Sequence, residues 1–175
     1  SRIIYGARIS LPIGLAATLL GAVAGVLIGA TAGYFRGRTD AVLTKVIDIQ
    51  LSFPFLLFAI SGIAVSGPSL RVLVVVLAIG SWVGFARIVR GLALSLREKE
   101  FIQAAQALGV SSGRIIARQL LPNVFPTALV VATLDLGRII ILEATLSFLG
   151  LGVQPPTPSW GTSLSDAREY IQIAW

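Results

Sequence analysis

Ser111 carries the most suggestive chemistry in the chain. It lies at the centre of Gly109-Val110-Ser111-Ser112-Gly113, a match to the G-x-S-x-G pattern that presents a nucleophilic serine on a strand-to-helix elbow. That elbow needs a strand before it and a base beside it. A helical pattern precedes Ser111, and the 175 residues contain no His, so a Ser-His-Asp arrangement is excluded. An intramembrane Ser-Lys hydrolase using Lys99 or Lys45 is the remote alternative, and Ser111, Ser112 and Gly113 read more simply as a turn. Without Cys or His there is no disulfide framework, thiolate site or H-E-x-x-H zinc site. No G-x-x-x-x-G-K-[ST] occurs, so the chain has no P-loop for ATP. No catalytic residue, metal or cofactor is expected in this chain.

The second constellation is Asp135, Arg138 and Glu143, three charges inside an apolar run at 124–149. At ~100° per residue, Arg138 falls ~60° to one side of Asp135 and Glu143 ~80° to the other, so all three share one broad face. A charge in a bilayer costs about 2.5–3.5 kcal/mol on insertion scales and faces protein or water. Two readings follow. The three residues line or gate a solute pathway, or Asp135 and Arg138 form a structural i, i+3 pair at a subunit interface.

The elements that hold these residues are membrane helices. The chain is 55% hydrophobic and 13% charged, with a mean hydropathy of +0.89. Soluble domains carry about 25% charged residues. The apolar runs 10–35, 46–66, 72–89 and 124–149 each approach the ~20 residues that cross a hydrocarbon core as helix. They are too long, and alternate too little, for barrel strands. The fold class is therefore all-α, a polytopic transmembrane bundle. The net charge of +6 is spread between the runs, which argues for membrane topology rather than for a nucleic-acid partner. Arg36, Arg38, Lys45, Arg90, Arg97, Lys99, Arg114 and Arg118 fall on one side, with Arg87 at a span end. Arg2, Arg8, Arg71 and Arg168 fall on the other. The positive-inside rule makes the first side cytoplasmic and 150–170 an extracytoplasmic loop. The tail 171–175 turns apolar and is expected to open another span. With no Met, and so no initiator, the chain reads as a piece of a longer protein.

Two features inside the runs concern shape. Gly21, Gly25, Gly29 and Gly33 recur every fourth residue, a smooth stripe for close helix packing. Pro54, in Phe53-Pro54-Phe55, removes a helix hydrogen bond and is expected to kink the second run.

Residues 100–123 are the most polar long stretch. Phe101, Ala104, Ala105 and Leu108 repeat at i, i+3, i+4, i+7, flanked by Glu100, Gln103 and Gln106. Gly109 suits the end of that helix, and Leu121-Pro122 closes the segment. The small alanine face suits docking on another protein better than resting on a bilayer.

Residues 103–122 resemble the cytoplasmic EAA loop of ABC importer permeases: Gln103-Ala104-Ala105, then Gly109, then Leu121-Pro122. They depart at Gln103, where the consensus has Glu, which removes the carboxylate from which the family would make a salt bridge. They depart again at Gln119, where the general consensus is aliphatic. The segments 5–11, 32–40, 53–57 and above all 143–161 (EATLSFLGLGVQPPTPSWG) look like the C-type permease of dipeptide, oligopeptide and nickel importers. The resemblance covers essentially the whole chain and implies a type I importer permease domain over 1–175, lacking the first and last spans. Within it, 99–122 would be the coupling loop, docking cytoplasmic ATPases through Glu100, Gln103, Ala104, Ala105, Leu108 and Gly109. The implied partners are a second permease subunit, two ATP-binding subunits and an extracytoplasmic solute-binding protein, in the plasma or inner membrane of a prokaryote. Peptides are the implied cargo, with nickel or an opine as the alternative.

Overall fold

The computed structural model describes residues 2–154 and 156–170, and among them every regular element is helical. The elements are α1 (Arg2–Phe35), α2 (Gly37–Ser52), α3 (Phe55–Ser66), α4 (Leu70–Arg97), α5 (Glu100–Ala107), α6 (Ser112–Ile115), a π-helical turn (Ile116–Leu120), α7 (Leu121–Phe148) and α8 (Trp160–Tyr170). Among the described residues three stretches are long and apolar enough to cross a membrane: Ile3–Phe35, Leu70–Arg97 and Ser112–Phe148. A fourth exists if α2 and α3 are taken as one broken span. The apolar tail 171–175 lies outside the described residues.

Two prolines act differently from one another. Pro54 breaks the second run outright. Phe53, the residue before the proline, is extended (φ −100°, ψ 131°), as steric conflict with the proline ring dictates. Pro54 then starts α3, its carbonyl accepting from Leu57 and Phe58 N–H. Pro122, which closes the polar stretch, lies within a continuing helix. The chain stays helical from Ser112 to Phe148, and the π turn sits just ahead of the proline, with Leu121 N–H bonded to Ile116 O. The wider turn accommodates a residue that brings no N–H and whose ring crowds the preceding carbonyl.

The chain divides into two compact units. One comprises Ser1–Leu19, Pro54–Gly80 and Leu134–Trp175. Its core joins α1, α3, α4 and α7 through Ile13, Ile63, Leu77, Ile139 and Leu146. α7 ends in a Schellman motif: Gly150 (φ 78°) N–H reaches Ser147 O, and Leu151 N–H reaches Leu146 O at 2.9 Å. The segment 150–170, expected as a loop, contains α8 and lies partly buried. Ser159 caps α8 reciprocally with Thr162, each backbone N–H donating to the other's hydroxyl at 3.1 and 2.8 Å.

The other unit comprises Leu20–Phe53 and Ser81–Thr133. Here the glycine stripe of α1 meets the α4 backbone. A Cβ on Gly29 would lie 2.5 Å from Ala86 O, and one on Gly33 2.6 Å from Arg90 O. One on Gly25 would collide with Trp82 O, and Gly21 is buried. Side chains of any size would push the helices apart. Val23 and Leu27, two residues out of register with the glycines and so roughly opposite at ~200°, are at least half exposed. α2 is fastened to α4 by ion pairs. Arg90 grips both carboxylate oxygens of Asp40 (2.5 and 2.7 Å), and Arg87 reaches Asp48 at 3.3 Å. Trp82 Nε1 donates to Gln50 at 2.8 Å.

Candidate functional site

α5 is short, and its amphipathic pattern fixes which way it faces. Ile102 and Ala105, one turn apart, are buried with Ile115, Leu120, Val89 and Ala93. That inward pair rotates Phe101, Ala104 and Leu108 outward as an i, i+3, i+7 ridge. Leu108 is 83% exposed and Phe101 45%. Glu100 and Gln103 are exposed beside them, with Glu100 in the first turn where the helix dipole favours an acid. Ala105 therefore departs from the expected docking face. Its methyl fills the protein's own interior, and Ile102, a larger apolar residue one turn earlier, is the sequence signal for that inward line.

Gly109 ends α5 in a Schellman motif, with φ 74°, its N–H on Gln106 O (3.0 Å) and Val110 N–H on Ala105 O (3.1 Å). Only glycine takes this conformation without strain. Gln103 uses its amide as a donor, Nε2 to Glu98 O at 3.2 Å, which a glutamate could not do.

The last turn of α1 lies beside α5. Gln106 Nε2 donates to Tyr34 Oη (3.3 Å), while Arg97 donates to Tyr34 O (2.6 Å) and stacks its guanidinium 5.6 Å from the ring centroid. With Phe35, Val110 and Ser112 these residues line an open cleft of about 310 Å³. Next to it, Arg36 has φ 56° and ψ −165°, a conformation left almost entirely to glycine that costs other residues about 1–3 kcal/mol. Its Nη2 donates to Glu98 Oε1 (2.6 Å) and Leu94 O (3.3 Å). The neighbouring Arg36 guanidinium holds the Glu98 carboxyl below its ordinary pKa. Neither Arg36, Tyr34 nor Glu98 stood out in the sequence. Their partners are more than fifty residues away in the chain, and an arginine at a glycine-like backbone position leaves no periodic trace.

Ser111 precedes α6 as an exposed turn residue, with a helix rather than a strand before it, and its carbonyl accepts from Arg114 and Ile115 N–H. The intramembrane charges separate into two settings. Arg138 Nη1 lies 3.5 Å from Asp135 Oδ1 and is half exposed. Glu143 is fully buried, its Oε1 accepting from Ser147 Oγ at 2.7 Å while Oε2 has no hydrogen-bond partner. Ser147 Oγ in turn accepts from Val153 N–H at 3.1 Å. The single broad face expected of the three is thus divided, because a helix arc of ~140° reaches from the surface into the core. Gly152 and Gly161 complete the arrangement. A Cβ on Gly152 would lie 2.6 Å from Ser147 Cα, and one on Gly161 2.6 Å from Ser147 Cβ. Trp160 joins it to α1, its Nε1 donating to Ile3 O at 3.1 Å.

Residues 25–174 match the family described as binding-protein-dependent transport system inner membrane component. The chain is 45% identical to the dipeptide transport system permease protein DppC of Alkalihalophilus pseudofirmus and to the oligopeptide transport system permease protein OppC of Escherichia coli. It is 42% identical to the glutathione transport system permease protein GsiD of Escherichia coli. Each match covers 99% of this chain and 57% of the relative, so the chain spans little more than half the length of these proteins. Its fold is that of a chain in the inward-facing MetNI methionine ABC transporter (native crystal form), with a TM-score of 0.79 at 20% identity, covering 99% of this chain and 82% of that one. Matched across nearly all of its helices, the chain belongs to the family of binding-protein-dependent transport system inner membrane components.

Proposed function

We propose that this chain is the membrane core of a permease subunit in an ATP-driven peptide importer of a prokaryotic cell membrane. Similarity of 42–45% across 99% of the chain to dipeptide, oligopeptide and glutathione permeases carries the reading of the cargo. A second permease subunit would supply the other half of the pathway, and an extracytoplasmic binding protein would deliver the peptide.

The geometry of α5 supports its role as the contact for a cytoplasmic ATPase. A helix of eight residues that exposes Phe101 and Ala104 in line with Leu108 at its C-cap has an apolar ridge left for a partner. Its ends are held by the Gly109 turn and by Gln103 and Gln106, so a push on the ridge moves a rigid body. The basic residues around α5 agree with a cytoplasmic setting.

Uptake tests the whole reading. Cells lacking their own peptide importers would express the full-length permease with its partner subunits, and accumulation of a labelled dipeptide, a labelled pentapeptide and nickel would be followed. Energy-dependent accumulation of either peptide is expected. Accumulation of nickel alone would overturn the peptide assignment.

A further inference from the structure

The geometry points to Arg36 as a positioning residue, a strained joint between α1 and α2 that Glu98 latches to the coupling helix. The inference rests on the proposed ATPase-docking role of α5 and goes beyond it, by naming how a displacement of α5 reaches the first span.

Arg36 is the one non-glycine residue with positive φ among the described residues, and glycine follows it, Gly37 at φ 56°. The joint therefore holds a conformation that its side chain resists. Its side chain is held from the far end of α4 and the segment leading into α5. Arg36 Nη2 donates to Glu98 Oε1 at 2.6 Å and to Leu94 O at 3.3 Å. Glu98 is in turn bound to α5, its backbone carbonyl accepting from Gln103 Nε2 at 3.2 Å. A second tie runs in parallel, from Gln106 of α5 to the Tyr34 hydroxyl at 3.3 Å. Gln103, Glu98 and Arg36 thus form a short chain of bonds from the docking helix to a backbone under strain.

Such a joint has two states. With Glu98 in place the strained geometry is held. When α5 carries Glu98 away, the latch opens and the backbone at Arg36 relaxes, re-aiming α1 and α2 against one another. Strain held by a few contacts, one of them a charged latch, converts a small shift into a discrete one, because packed elements switch rather than deform.

The test uses the whole transporter in proteoliposomes: full-length permease, partner permease, ATPases and binding protein. Uptake per ATP hydrolysed is measured for Glu98→Gln, which keeps size at an exposed site, and for Arg36→Gly, which removes both latch and strain. Both should retain their ATPases and lose at least about fivefold in uptake per ATP, the low end of ordinary coupling effects. The paired exchange Arg36→Glu with Glu98→Arg should recover most of the loss. Unchanged uptake per ATP in the two single variants overturns the proposal, as does a loss that the paired exchange fails to recover. Leu108→Asp separates the two levels of the argument. If it sheds the ATPases while the Arg36 and Glu98 variants transport normally, docking stands and the latch falls. If it keeps the ATPases, the docking reading fails and takes the latch with it.

Discussion

Ser147 stands one turn beyond Glu143 on α7 and donates its hydroxyl to the buried Glu143 carboxyl at 2.7 Å, while accepting Val153 N–H at 3.1 Å. One hydroxyl thus serves a carboxyl that water does not reach and a backbone donor from the segment after α7. Gly152 and Gly161 are glycines for the same reason, since both backbones press directly on Ser147. Glu143, Gly152, Val153 and Gly161 thus converge on one serine.

Ser147→Ala removes both bonds at once. It strands Glu143 Oε1 and Val153 N–H in the core, at about 1–3 kcal/mol for each buried group left without a partner. A lower thermal midpoint of the purified full-length permease is expected, measured by thermal unfolding in detergent. Ser147→Thr, which retains the hydroxyl, should fall less unless its added methyl meets Gly161. An unchanged midpoint for Ser147→Ala would remove this hydroxyl from the account of the fold.

Gly29→Leu acts on the contact between α1 and α4. Even a single methyl there would stand 2.5 Å from Ala86 O, and backbone cannot yield as a side chain can. Overpacking of this kind costs about 1–3 kcal/mol and occasionally more. Val23→Leu on the opposite face should be silent. Comparing thermal midpoints of the two variants checks the assignment of faces, and equal midpoints would place the stripe away from α4.

Much of this was legible in the sequence, and the parts that were not share a cause. The glycine stripe and the spans announce themselves by period, because one helix face repeats every three or four residues. The Gly109 turn was legible because few residues tolerate its backbone. Arg36 and Arg90 read as loop charges by the positive-inside rule and Arg87 as a charge at a span end, whereas the structure shows each paired with an acid on another helix or in the segment after α4. Those pairs depend on the fold, and no local pattern encodes them. The inward turn of Ala105 was legible only through Ile102, because alanine itself serves a docking face and a core equally well.

Leu108→Asp and Ala105→Asp should therefore part company. Leu108 projects into the surroundings, so an aspartate there keeps the fold and damages only the apolar ridge. Co-purification with the ATPases should drop sharply while insertion and the thermal midpoint stay near wild type. Ala105 is 6% exposed, so an aspartate there buries a carboxylate in the apolar cluster of Ile102, Ile115 and Leu120. That variant should lose stability before any effect on partners can be seen. Equal behaviour of the two would mean that α5 rotates on docking.

Acid should open the latch between Arg36 and Glu98. The Glu98 carboxyl has its pKa lowered in the folded protein, first by the hydrogen bond from Arg36 and then by that residue's charge. A depressed acid contributes stability that is fully present above its unfolded value of 4.5 and is lost as pH falls through the lower, folded value. From neutrality down to pH 5 (about half a unit above that ordinary value), little should change, and below 4.5 the clasp should weaken progressively. Glu98 is exposed and Arg36 partly so, and salt should therefore weaken the pair as well, with a screening length of about 3 Å at 1 M. Spin labels at Arg38 and Lys99, both exposed, would report the separation of the joint from the segment leading into α5. The distance distribution should broaden in acid and in high salt, and Glu98→Gln should show the broad distribution at every pH. A distribution that stays narrow in that variant would mean that Leu94 O and the Tyr34 contacts hold the joint without the carboxylate.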